Sequence, residues 1–231
     1  MGAPARIIND RPARGAGNKI DPLLAAIRHG LVPQSREDGL MLLYGHPSVL
    51  SLGLYAAADR ALAGEPVVYL DGANAFDPFV VSRVARGHGV RPQKLLTAIH
   101  VARAFTCHQM ERLISDCLAS ALARYQARVA ILSGPLDSFY DEAVPAEEAT
   151  RLLRRMIPAL HKLSARGTRV LCLCPNNSPQ HQGRYGLLMQ LQAAATRRIR
   201  VEEMDGMVRL DEETTGSPHQ WEIPQAVLTG C

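Results

Sequence analysis

The chain has 231 residues, 47% of them hydrophobic and 21% charged. That is enough for one α/β domain with a substantial core; it excludes a disordered chain and leaves no comfortable room for two domains. Net charge is +4, and only three of the 26 basic residues (Lys19, Lys94 and Lys162) are lysines. The arginine excess reads first as the coding bias of a GC-rich genome. Arg also forks onto phosphate oxygens, but +4 permits nucleic-acid binding without arguing for it.

Residues 1–19 are rich in Arg, Ala, Gly and Pro, show no period and read as a flexible leader; 20–231 read as a single domain. A short amphipathic helix is expected at 21–29 (DPLLAAIRH), with Asp21 at the cap and Pro22 at the first helical position. The apolar run 40–44 (LMLLY) has the form of a strand buried on both faces and ends at Gly45-His46-Pro47-Ser48. Helix is expected over 49–62, strand over 66–71 (PVVYLD), helix over 79–86 and strand over 95–102. Then come a helix at 108–124, a strand at 128–132 (RVAIL) and a leucine-faced helix at 147–165, with Pro158 expected to remove one hydrogen bond inside it and kink it. A fifth strand is expected at 169–174 (RVLCLC), a helix at 187–195, and two antiparallel strands at 199–203 and 207–210 joined at Asp205-Gly206. Alternating strands and helices predict a mostly parallel sheet covered on both faces, with antiparallel strands near the C-terminus.

No apolar run approaches the roughly 18 residues of a membrane span, and the N-terminus is too polar for a signal peptide. The expected location is the cytoplasm, at the nucleoid in a prokaryote. The five cysteines (Cys107, Cys117, Cys172, Cys174 and Cys231) are odd in number and form no CxxC. Cys172 and Cys174 alternate with leucines on a buried strand, so they read as reduced core thiols rather than zinc ligands. The eight histidines form no HxH or HxxxH pair. No metal and no cofactor are expected.

The turn after the first strand stands where such folds hold phosphate. Read as GxxxxGK[ST] from Gly45, it places Leu50, Ser51 and Leu52 at the glycine, lysine and hydroxyl positions. Those positions serve backbone wrapping, phosphate charge and Mg²⁺ coordination. Gly45, His46, Pro47, Ser48 and Ser51 are thus a vestigial phosphate loop, and no lysine lies between Lys19 and Lys94.

Three segments point to a family. Residues 69–78 (YLDGANAFDP) resemble the Y-(I/L)-D-T-E-G-x-F-x-P stretch of RecA/RadA-type strand-exchange recombinases. Residues 101–110 (VARAFTCHQM) resemble their ARAYNxDHQ segment, and 128–139 (RVAILSGPLDSF) their LLIVDSxxxLF strand. The resemblance runs over about 40–201 and implies a RecA-like P-loop NTPase core of the archaeal RadA and eukaryotic recombinase branch. In that family an acidic residue after the second strand polarises the attacking water; Ala73 stands there. An aspartate ending the fourth strand anchors magnesium; Ser133 stands there. With the loop changes, the resemblance implies degenerate nucleotide motifs and a pseudo-ATPase without catalytic residues. The family's phenylalanine–alanine assembly hook has no counterpart in the leader, and its N-terminal helix-hairpin-helix module has no room. Phe76, Phe79, Phe105 and Phe139 are all expected in the core, and no self-built filament is expected.

The loop 175–186 (PNNSPQHQGRYG) follows the fifth strand, where recombinases touch DNA, and Arg184 and Tyr185 have the chemistry to bind phosphate and stack a base. Arg197 and Arg198 are further DNA candidates, offset by nearby Glu202, Glu203 and Asp205. Arg151, Arg154 and Arg155 line the long helix opposite its leucines and read as a solvated face, with Glu148 three residues from Arg151. The leading expectation is a non-catalytic accessory or mediator in DNA repair and recombination, docking on a recombinase, paralogue or repair polymerase and in reach of single-stranded DNA. Two alternatives stay open. One is a RecA-like partner of a damage-tolerance polymerase (an SOS-type role) or a cell-division regulator, without DNA binding; the other is a non-hydrolysing ATP sensor.

Overall fold

The computed structural model describes residues 21–28, 39–175, 184–214 and 219–229. The expected leader, Cys231 and positions 176–183 of the loop after the fifth strand lie outside them.

Eight strands form one sheet: β1 (Leu40–Gly45), β2 (Val67–Asp71), β3 (Ile99–Arg103), β4 (Val129–Ser133), β5 (Arg169–Pro175), β6 (Arg197–Met204), β7 (Met207–Glu212) and β8 (Gln220–Pro224). Their spatial order is β3-β2-β4-β5-β1-β6-β7-β8. The pairings from β3 across to β6 are all parallel, whereas β7 runs antiparallel to both β6 and β8. This is the α/β architecture of a RecA-like core.

Side chains of a strand point alternately to the two faces, and two apolar layers follow from that. Met41, Leu43, Val67, Tyr69, Val129, Ile131, Leu171 and Leu173 face one core. The intervening Leu40, Leu42, Val68, Leu70, Ala130, Leu132, Val170, Cys172 and Cys174 face the other. Buried on both sides, these strands read in sequence as unbroken apolar runs.

The first core is covered by α1 (Asp21–Ala26), α2 (Ser48–Leu62), α3 (Pro78–Gly87), α4 (Pro92–Leu96) and α9 (Gln225–Thr229). The second is covered by α5 (Cys107–Arg112), which runs through a π-helical turn at Leu113–Cys117 into α6 (Leu118–Tyr125), and by α7 (Ala146–Ala165) and α8 (Tyr185–Ala194). α2 lies close against the sheet at Gly53, where an added Cβ would sit 2.0 Å from Leu173 Cδ1.

The strand expected at 95–102 is shorter in fact. Pro92 starts the one-turn helix α4, Arg91 before it is extended, and Leu95 is buried on that helix, so β3 begins only at Ile99. The 205–206 hairpin forms as expected, with Asp205 (φ 52°) and Gly206 (φ 75°) both left-handed, as a two-residue turn between twisted strands requires. β8 and α9 were not expected: only Ile223 of the strand is buried, and its polar neighbours mask the pattern. Pro158 is accommodated inside a continuous α7.

Of the four phenylalanines expected in the core, Phe139 is fully buried and Phe76 packs on its margin. Phe79 and Phe105 do not: they are 78% and 68% exposed. Each opens an element at the β2–β3 side, Phe79 in the first turn of α3 and Phe105 after β3, so their rings face outward. Cys107, Cys172 and Cys174 are buried free thiols and Cys117 is half-buried. Burial pushes the Cys172 thiol up to about 12, and Cys174 rises too, through burial and the neighbouring Cys172 and Asp137.

Candidate functional site

The C-terminal ends of β1, β2, β4 and β5 meet at the middle of the sheet, where ligands of open α/β folds sit. Gly45 ends β1 at φ +117°, and a Cβ there would lie 2.3 Å from the Val201 carbonyl oxygen. Only glycine lets β6 come so close, and the His46 amide donates to that same oxygen at 2.7 Å.

From there the chain turns directly into α2. The His46 ring nitrogen Nδ1 lies 2.8 Å from Ser48 Oγ and accepts from the Ser48 amide at 3.3 Å. The Val49 amide donates to His46 O and the Leu50 amide to Pro47 O. The first amides of a helix are the donors that an anion normally takes; here protein groups take those of Ser48, Val49 and Leu50. Ser48 and Val49 are buried, and Ser51 is half-buried.

Around the turn, Asp71 is buried at the end of β2. Its Oδ1 accepts from the Ala75 amide at 2.9 Å and its Oδ2 from the Phe76 amide at 3.1 Å, with Arg103 Nε at 3.3 Å. Asp71 therefore folds the loop at 72–76 back on itself. Ser133 lies opposite Asp71 in the β2–β4 register and is fully buried. Its carbonyl accepts from the amides of Gly72 and Ala73. Asp137, in the helical turn Asp137–Tyr140 after β4, is pushed up to about 6 by burial and by Asp71. Among the described residues no group of three His, Cys, Asp or Glu side chains is placed to hold a metal. The donors present do not fit magnesium triphosphate: the amides are engaged, no cation stands on the turn, and hydroxyls or methyls occupy the family's acidic positions.

Arg184 stands beside α8 with both terminal nitrogens committed: Nη1 donates to Phe139 O and Nη2 to Val144 O, each at 2.6 Å. It ties the start of α8 to the segment between β4 and α7. The side chain of Tyr185 lies outside the described atoms. Arg197 is 16% exposed and its Nε donates to Glu212 Oε1 at 2.8 Å. Arg198 Nε lies 3.8 Å from Glu213, and its Nη1 donates to Gln192 O. The structure thus brings the loop residues Gly45 to Ser51 together and places the three arginines apart from them, in intramolecular bonds. Sequence reasoning missed Arg103 beside Asp71, Glu212 beneath Arg197, and the exposure of Phe79 and Phe105. The first joins strands 32 residues apart in the chain, and the second crosses the β6–β7 hairpin.

No helix among the described residues is long and apolar enough to cross a membrane. The Rad51 family model matches residues 54–167, from the second half of α2 to just past α7. The matched stretch holds Asp71, Ala73, the ARAFTCHQ segment and Ser133, and begins beyond the β1–α2 turn. No curated protein matches the chain. The match over residues 54–167, which hold β2, β3 and β4, supports a place for this chain in the RecA/RadA-type recombinase superfamily.

Proposed function

We propose that this chain is a recombinase-superfamily core that no longer turns over nucleotide and serves in DNA repair and recombination by docking on an active partner. The observation that carries the reading is the β1–α2 turn: its amides are bonded to His46 and Pro47, and its sequence supplies no charge for a phosphate. Ala73 and Ser133 support it, because groups that stabilise transferring phosphate are each worth factors of 10³ or more in rate.

The docking half of the reading rests on β3. It is one of the two edge strands of the sheet, with no strand paired to its outer side among the described residues and Val101 exposed. Phe105 stands exposed just beyond its C-terminal end, and Phe79 is exposed in the first turn of α3, which follows the neighbouring strand β2. An open edge with apolar anchors suits an extended peptide segment of another protein. The partner class proposed is a nucleotide-active recombinase or paralogue from the same cell.

The test is binding of the full chain to that recombinase, with and without ATP. The expected result is binding that survives the nonhydrolysable state of the partner and falls at least tenfold (about 1.4 kcal/mol) in the Phe79→Ser, Phe105→Ser double variant. Unchanged binding in the double variant removes the edge from the account, and absence of binding in the unaltered chain removes the docking role.

A further inference from the structure

We infer that the outer face of α7 is a track for the phosphodiester backbone of nucleic acid, separate from the loop after β5. From Arg151 to Arg166 the chain carries Arg151, Arg154, Arg155, Lys162 and Arg166 and no acidic residue. At about 100° per residue, Arg151, Arg155, Lys162 and Arg166 fall within an arc of roughly 60°, with Arg154 about 60° to one side. At about 1.5 Å per residue the stripe runs roughly 22 Å, in steps of about 6, 10 and 6 Å.

The other side of the same helix buries Leu152, Leu153, Met156, Leu160 and Leu163 in the second core, so the orientation is fixed and the cations face out. All five are exposed. A helix that is merely solvated usually mixes signs so that neighbours pair. Here three acids stand by the stripe, all near its N-terminal end: Glu148 lies 3.1 Å from Arg151, Glu111 of α5 lies 3.3 Å from Arg155, and Glu147 shares a hollow with Arg151 and Arg154. Arg154, Lys162 and Arg166 have no side-chain partner among the described residues. An open hollow of about 580 Å³ lined by Ala146, Glu147, Thr150, Arg151, Arg154 and Arg155 leaves the first guanidinium groups accessible.

A straight row of guanidinium groups at such spacing matches a linear polyanion better than a compact carboxylate ligand, and Arg binds phosphate bidentately. Nothing on the stripe offers base-edge selectivity; only the backbone is read. By contrast Arg184, Arg197 and Arg198 are held by carbonyls and carboxylates of the protein itself. The track does not rest on the reading of the β1–α2 turn or of β3.

The experiment measures fluorescence anisotropy of labelled single-stranded DNA, duplex DNA and single-stranded RNA as salt rises. Three chains are compared: unaltered, Arg154→Ala/Lys162→Ala/Arg166→Ala, and a control with Arg86→Ala/Arg91→Ala/Lys94→Ala on the helices over the opposite face of the sheet. Circular dichroism checks that each is folded. With single strands, the α7 variant is expected to bind at least tenfold more weakly, and the slope of log affinity against log salt is expected to fall by about 2 as three phosphate contacts go. The control is expected to match the unaltered chain. Loss shared by all three nucleic acids supports a backbone track, and loss confined to one identifies the source of the phosphate. Equal loss in both triple variants, no binding by the unaltered chain, or displacement by polyglutamate at equal charge overturns it, the last assigning the stripe to an acidic protein.

Discussion

Asp137 carries the clearest electrostatic tension in the molecule. Its carboxyl is pushed up to about 6 by burial first and by Asp71 second. An acid whose native value lies above its unfolded value of about 4 binds more protons when folded. Stability is therefore greatest below the unfolded value and falls as pH rises through the native one. The Asp137→Asn variant is expected to be more stable than the unaltered chain at pH 7 by about 3 kcal/mol, the order implied by a shift of this size. It is also expected to lose most of the change between about pH 4 and 6. Urea unfolding of both chains at the two ends of that window checks this; equal pH dependence in both contradicts it. At the same scale, Arg184 shows how a basic loop residue is misread from sequence: its composition suits phosphate, but its two hydrogen bonds go to Phe139 and Val144 carbonyls.

At the scale of elements, α1 is fastened to α2 by a buried carboxylate. Asp59 is fully buried and pairs with Arg60 and with Arg28 at the end of the α1 segment, each at 2.5 Å. Leu23, Leu24 and Ile27 fill the first core alongside. The Arg60 side chain is only 10% exposed, with its next carboxylate, Glu65, at 3.9 Å. Asp59→Ala leaves that cation buried and is expected to cost about 3–5 kcal/mol. Arg28→Ala, at a half-exposed side chain, is expected to cost under about 1 kcal/mol. Chemical denaturation of the two variants tests the ranking; similar losses contradict it.

The elements were legible where apolar runs and breakers agree. Runs such as 40–44 and 169–174 announced strands buried on both faces, and Asp205-Gly206 announced a hairpin. The Asp59–Arg28 pair was not legible, because the two residues lie 31 apart in the chain. β8 was hidden because an edge strand buries little. Phe79 and Phe105 were misplaced because aromatic residues default to the core, whereas both stand at the starts or ends of elements near an open edge. In the candidate site, the residues of the β1–α2 turn were legible one by one. That their amides bond to His46 and Pro47 rests on a three-dimensional turn that no spacing rule encodes.

Taken whole, the described residues form a RecA-like sheet with a self-bonded turn at its centre, β3 at one edge and a basic helix on one face. The proposed function requires that the β1–α2 turn hold no triphosphate. A ligand present at about 100 times its Kd stabilises the folded chain by about 2.7 kcal/mol. For a chain of this size that raises the thermal midpoint by about 5–10 °C. The direct measurement is thermal unfolding with and without MgATP at about 100 times a mid-micromolar Kd, near 5 mM. The account predicts an unmoved midpoint, and a rise of several degrees that needs both nucleotide and Mg²⁺ contradicts it.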